Sequence, residues 1–176
     1  MRLWNYQLLS YLPRQQLLSQ LRECVAIAKD IYETGRTNHI LINKIMDYPI
    51  EHFRRYCDMV IEEMEYREYN VSDKTKDKLS VYLCYNCGEQ AVVIDLFEGW
   101  HYKNDRYLVQ CLYNLEEKYD CGGIAFDEWD KIYHKFYKYL DYWIIKEIIA
   151  NIIFAKLLLK IERRINNGNS NRRRWT

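Results

Sequence analysis

Apolar positions along the chain fall in stripes of helical spacing, and those stripes divide it into elements. After Pro13, a residue suited to the first helical position, Leu17, Leu21, Cys24, Val25, Ala28 and Tyr32 share one face of a helix that Gly35 ends. Gln15, Ser19, Arg22, Glu23 and Ala26 share the opposite face, so one stripe goes to a core and the other looks outward as a unit. A second helix starts after Pro49 with Ile50, Phe53, Cys57, Val60, Ile61 and Met64 inward; Glu51, Arg54, Arg55, Glu62 and Glu65 face solvent. The segment 72–80 is polar and lysine-rich and reads as a loop. Val81 to Phe97 stays open: Ala91-Val92-Val93-Ile94 fits a short strand or a piece of buried helix. Asn104 to Tyr119 reads as a third helix with Tyr107, Leu108, Cys111, Leu112 and Leu115 inward, ended by Cys121-Gly122-Gly123. From Phe126 to Ile165 there is neither Gly nor Pro, which fits one very long helix or two joined without punctuation. The wide stripe Ile144, Ile145, Ile148, Ile149, Ile152, Ile153 and Leu157 must pack on the body or on a second copy of itself.

Composition narrows this picture. With 6 Gly and 2 Pro in 176 residues, breakers are scarce and a mainly α or all-α fold is expected. The expected layout is a compact single-domain helical bundle over 1–121, a long helical C-terminal extension over 122–165 and a disordered basic tail over 166–176. Hydrophobic residues at 49% and charged residues at 29% fit a globular chain rather than a disordered one. The formal net charge of +1 gives no global sign of nucleic acid, so any such surface must come from local clustering of Lys and Arg. No apolar run with a small-residue cleavage site follows Arg2, so no secretory signal is read at the start. The most apolar stretch, Trp143 to Ile161, contains Lys146, Glu147, Asn151, Lys156 and Lys160, which suits an amphipathic helix and not a membrane span. Six cysteines without a signal suggest reduced thiols and a cytoplasmic setting. Cys84-x-x-Cys87 could open a zinc site completed by His101, Cys111 or Cys121. A single pair is weak, however, and buried free thiols are the simpler reading, so no metal is expected. His39 and His52 have no visible partner and read as structural or surface residues.

The stretch Leu8-Leu9-Ser10-Tyr11-Leu12-Pro13-Arg14-Gln15-Gln16-Leu17-Leu18-Ser19-Gln20-Leu21-Arg22-Glu23, with Met1-Arg2-Leu3-Trp4 before it, resembles the start of the pyrimidine-dimer DNA glycosylases of the phage endonuclease V type and their bacterial branch. Gln15, Leu17, Arg22 and Glu23 stand where that family keeps its Gln, Leu, Arg and catalytic Glu. His52 through Val71 is similar to the family's second helix, with Glu68 in place of the usual glycine. The resemblance covers residues 1–71 well and the rest poorly. It implies an endonuclease V type of helical bundle. It also implies a repair enzyme that cleaves the glycosidic bond of a pyrimidine dimer with its terminal amine, forms a Schiff base at the sugar and breaks the backbone by β-elimination. No cofactor is implied, and the partner is double-stranded DNA carrying lesions; a monomer is expected, with a dimer possible through the C-terminal helix.

Such chemistry needs an amine that is neutral near pH 7, and an α-amino group comes closer than any lysine. It also needs a carboxylate to handle protons and steady a cationic intermediate, the role the resemblance gives Glu23. Arg22 would grip phosphate, and Arg2, Arg14 and Gln15 would add DNA contacts. Two departures bear on this. Phage enzymes trim their Met, whereas Met is normally kept before a bulky Arg2; with Trp4 as a one-residue insertion, Met1 takes the nucleophile's place. Ala26 stands where the phage family has another substrate-binding arginine, so grip on phosphate is weaker or comes from elsewhere. Taken alone, Arg22-Glu23 would be an ordinary solvated helix pair. Phe136-Tyr137-Lys138-Tyr139 echoes a DNA-engaging aromatic-lysine run of the phage enzymes, though packing explains it as simply; Arg172 to Arg174 could touch phosphate or merely solubilise. Two rival readings stand beside the enzyme: a non-catalytic DNA-binding relative, and a helical interaction protein that dimerises through Ile145, Ile149 and Ile153.

Overall fold

The structure is a computed structural model, and it describes residues 2–84 and 93–140 together with 152, 154, 156 and 158. The chain divides into two compact units, Met1–Lys135 and Phe136–Thr176. Among the described residues the regular elements are helices, with no strand and one isolated bridge between Glu98 and Tyr102, so the mainly α expectation holds.

In the first unit, α1 spans Arg14–Thr34. Pro13 caps it rather than opening it, its carbonyl accepting from the Leu17 amide at 3.0 Å. Gly35 ends it at φ 76°, donating to the Ile31 carbonyl at 2.9 Å, a conformation that suits a residue without Cβ. Leu17, Leu21, Cys24 and Ala28 are buried as their spacing predicts, joined by Gln20 and Ile27. Tyr32 departs from the stripe: it is 56% exposed and its ring lies 5.5 Å from that of Tyr82. Helix α2, Ile50–Tyr66, buries Phe53, Cys57, Val60 and Met64 as expected and Tyr56 besides, leaving Ile50 and Ile61 half-buried.

The segment expected as a loop at 72–80 is instead helix α3, Asp73–Tyr82. The Ser72 carbonyl accepts from Thr75 and Lys76, and Leu79 is fully buried. Lysine is a good helix former, and α3 packs against α1, so a single buried leucine suffices to dock it. Of Ala91 to Ile94, Ala91 and Val92 lie outside the described residues; Val93 and Ile94 belong to no regular element, and Ile94 is 86% exposed. Leu96 and Phe97 are buried in turns just after them.

Helix α4 spans Asp105–Asp120, capped by the Asn104 side chain, which accepts from the Tyr107 amide at 3.0 Å. Leu108, Val109, Cys111, Leu112 and Leu115 are buried, Tyr107 only partly. Gly122 at φ 74° and Gly123 end it. Residues 126–135 are also helical in the first unit, where Trp129 and Ile132 are buried and Trp129 stacks on Tyr119 at 5.4 Å. In the second unit residues 136–140 are helical, with Phe136 buried and Tyr137 46% exposed; 152, 154, 156 and 158 are helical too, with Ile152, Phe154 and Leu158 exposed. Ile144, Ile145, Ile148, Ile149, Ile153, Leu157 and the tail lie outside the described residues. No helix among the described residues is long and apolar enough to cross a membrane.

What ties these helices together is residues 2–5. The Arg2 amide donates to Glu23 of α1 at 3.1 Å and the Trp4 amide to Gln20 of α1 at 3.0 Å. The Leu3 carbonyl accepts from the Tyr107 hydroxyl of α4, and the Trp4 carbonyl from the Tyr56 hydroxyl of α2 at 2.8 Å. Asn5 caps the 3-10 helix Tyr6–Tyr11 through Gln7 and donates to the His101 carbonyl at 3.2 Å. Buried backbone groups must be paired, and here side chains from three helices pair them.

Candidate active site around Glu23

The strap ends at an open cleft of about 470 Å³ lined by Arg2, Trp4, Gln15, Gln16, Ser19, Gln20, Glu23, Asn114 and Lys118. Spacing explains the contribution of α1: Gln16, Gln20 and Glu23 follow one another at four and three residues, flanked by Gln15 and Ser19. The second wall comes from the last turns of α4, through Asn114 and Lys118. Glu23 is half-buried, and one of its oxygens holds the Arg2 peptide nitrogen. That bond fixes the carboxylate at the point where the chain enters the fold.

The guanidinium of Arg2 reaches between Trp4, 5.9 Å from its ring centroid, and Cys111, whose sulfur it approaches at 4.0 Å. Burial pushes the Tyr107 phenol and the Cys111 thiol above their ordinary values, against the opposing pull of the Arg2 charge, so both stay protonated at neutral pH. Arg2 therefore stands as a cation with neutral neighbours on this flank. Gln16 Oε1 is buried and accepts no hydrogen bond from the described residues, leaving an acceptor on the cleft wall for a ligand donor.

The residues singled out from sequence are distributed unequally. Arg2, Gln15 and Glu23 meet in the cleft; Arg22 is exposed, one position before Glu23 on α1. Arg14 lies at the helix start, its guanidinium 5.1 Å over the Tyr69 ring and its amide donating to Glu128 at 3.0 Å; it does not line the cleft. Met1 lies outside the described residues. Sequence reasoning missed Gln16, Gln20, Asn114 and Lys118. The helical spacing of Gln16 and Gln20 to Glu23 could have flagged the first two; nothing local could have brought α4 to this place. Among the described residues no three metal-ligating side chains converge. Of the proposed zinc set, Cys84 and Cys121 are exposed, Cys111 and His101 are buried, and Cys87 lies outside the described residues; the free thiols are thus not all buried. His52 does have a partner, its Nδ1 accepting from the Phe97 amide at 3.0 Å, and burial lowers its pKa.

Residues 1–77 match the family model of the pyrimidine dimer DNA glycosylases. No curated protein and no solved structure matches the chain.

Proposed function

We propose, with that family match over residues 1–77 as the premise, that the chain is a DNA glycosylase with abasic-site lyase activity toward pyrimidine dimers, Met1 supplying the nucleophilic amine and Glu23 the carboxylate. The observation that carries this is the 3.1 Å bond between the Arg2 peptide nitrogen and Glu23, two residues that line an open cleft. Three covalent bonds separate the residue-1 nitrogen from the Arg2 nitrogen, and backbone dimensions hold the two within about 3.6 Å whatever the torsion between them. A residue-1 amine would by this covalent link stand near the carboxylate, which supports a reading in which the two act together.

In the reaction, the neutral amine attacks C1′ of the damaged nucleotide, and the glycosidic bond breaks with its electron pair leaving on the base. The sugar ring opens at O4′, which takes a proton, and the nitrogen forms an imine with C1′. Loss of a proton from C2′ then expels the 3′ phosphate, and water releases the amine. In this reading Glu23 steadies the cationic imine and carries protons at O4′ and C2′. Arg2 and Lys118, which both line the cleft, suit the flanking phosphates, with the exposed Arg22 beside Glu23 on α1 and Arg14 at the start of that helix. Gln15, Gln16, Ser19 and Asn114 supply uncharged hydrogen-bonding groups. Lys118 answers the loss of cationic grip at Ala26, because it brings a charge to the cleft from another helix.

Borohydride trapping on duplexes carrying one pyrimidine dimer or one abasic site tests the proposal. Wild-type protein gives a covalent protein–DNA adduct. Glu23→Gln lowers its rate by about a hundredfold or more, within the range for a proton-handling group. Extending the chain by one residue before Met1 moves the amine and removes the adduct. Duplex binding without any adduct, at low salt and on both substrates, would instead mark a non-catalytic relative.

A further inference from the structure

A second cleft, of about 420 Å³, shares Arg2 with the first, and Lys44, Trp100, Arg106 and Tyr107 line it as well. On its rim stands the loop that joins α1 to the 3-10 helix Ile42–Asp47. The tip of that loop is Ile40 and Leu41, 84% and 68% exposed, and Leu41 also lines the cleft. Single exposed aliphatic residues are ordinary, but two adjacent ones on a rigid tip are not.

The tip is locked from below. Buried Thr37 donates its amide to Asn43 Oδ1 at 2.8 Å, and Asn43 Nδ2 donates back to the Thr37 carbonyl at 2.9 Å. The Thr37 hydroxyl accepts from the His39 amide at 3.1 Å, and the His39 carbonyl accepts from Ile42 and Asn43. Ile42 and Ile45 anchor the following turn in the core, at 2% and 1% exposure. Ile40 and Leu41 are therefore held out of the fold rather than left unplaced.

We infer that Ile40 and Leu41 form a wedge that enters between base pairs of the duplex beside the lesion, while Lys44 and Arg106 hold the adjoining phosphates. The inference rests on the glycosylase reading and extends it to the mode of opening the duplex. Three features commit the tip to DNA. Lys44 and Arg106 line the same cleft as Leu41, complementary to a phosphate backbone and unsuited to an apolar protein partner. Arg2 belongs to both clefts, so the surface is continuous with the candidate active site. Aliphatic side chains of this kind, rimmed by Lys and Arg, are what unstack a base step and bend a duplex. A sugar inside a stacked duplex is closed to the amine, and the wedge supplies the distortion that presents it.

The test uses a non-cleavable duplex with a reduced abasic site and 2-aminopurine as the neighbouring base. On wild-type binding the fluorescence rises several-fold as the base unstacks. The double variant Ile40→Ala/Leu41→Ala binds with less than a third of that rise. In a separate trapping assay, its ratio of adduct on duplex to adduct on single-stranded abasic DNA falls tenfold or more. Both changed residues are exposed, and an unaltered thermal melt checks that the fold is intact. A variant that matches wild type in fluorescence overturns the wedge and leaves the glycosylase reading standing. Wild-type binding with a fluorescence rise but without any adduct overturns the lyase reading alone. No duplex binding by wild type at low salt overturns both.

Discussion

At the scale of single residues, the side chains that matter most owe their roles to where the backbone presents them. Glu23 would be one more carboxylate on a helix surface were it not bonded to the Arg2 amide. Gln20 is buried because a peptide N–H, that of Trp4, has to be satisfied there. Lys118 stands in the last turn of α4, where a cation also suits the helix dipole, and it lines the cleft opposite α1. If Lys118 contacts one phosphate, Lys118→Ala weakens binding to damaged and undamaged duplex alike. It also reduces the slope of log K against log salt by about 0.9, read from titrations at several salt concentrations. A variant that changed the preference for damaged DNA but kept the slope would place Lys118 on the lesion and not on the backbone.

At the scale of elements, the end of α2 shows local chemistry at odds with the conformation imposed on it. The Tyr69 amide bonds back to the Met64 carbonyl at 2.8 Å and the Glu68 amide to Glu65 at 2.9 Å, a helix ending that turns the chain through a left-handed residue. That residue is Glu68, at φ 58°. It occupies the position at which the resemblance leads one to expect glycine, and the dihedral gives the reason for that glycine. Glu68→Gly removes the clash of Cβ with its own backbone, and stability rises by up to about 1 kcal/mol, the gain being offset in part by the freer unfolded chain. Urea melts check it; a loss of stability would show that contacts of the Glu68 side chain outweigh the backbone strain. The same ending sets Arg67 against Glu63 at 2.6 Å and lets it donate to the Leu12 and Leu9 carbonyls, so α2 steadies the segment leading into α1.

Across the first unit as a whole, an aromatic cluster joins the segment around 97–101 to α2 and α4. Phe97, Trp100 and His101 meet Tyr48, His52, Tyr56 and Tyr107 with ring centroids 4.7–6.3 Å apart. His101 is fully buried among them, and neither of its ring nitrogens has a hydrogen-bond partner among the described residues. Burial, helped by the Lys44 charge, lowers its pKa from 6.5 to about 3. The unfolded chain therefore binds a proton that the folded chain refuses between those values. Stability is whole above about pH 6.5 and falls as pH drops toward 3, by at most about 1.4 kcal/mol per pH unit from this group. Thermal melts between pH 7.5 and 4.5 show the decline, and His101→Phe flattens it. An equal decline in that variant would assign the acid sensitivity to the carboxylates. Because His101 accepts Asn5 through its carbonyl, loosening this cluster also loosens the strap that carries Arg2 to Glu23.

The sequence by itself determined the helices whose apolar stripes are long and whose ends are punctuated: α1 between Pro13 and Gly35, α2 after Pro49, and α4 up to Gly122. Those signals are local, since spacing and backbone preference act within a few residues of one another. It also determined the resemblance carried by Arg22 and Glu23. It could not reveal α3, where Leu79 alone on a polar helix gives too little periodicity to read. Nor could it reveal that His52 and His101 belong to one aromatic cluster, or that Asn114 and Lys118 line one cleft with Glu23. Those facts depend on contacts between residues far apart in the chain, which arise only when buried backbone groups find their partners. The tertiary structure decided the candidate site in that way. The amides of Arg2 and Trp4 had to be paired, α1 offered Glu23 and Gln20, and residues 2–4 were tied beside the carboxylate.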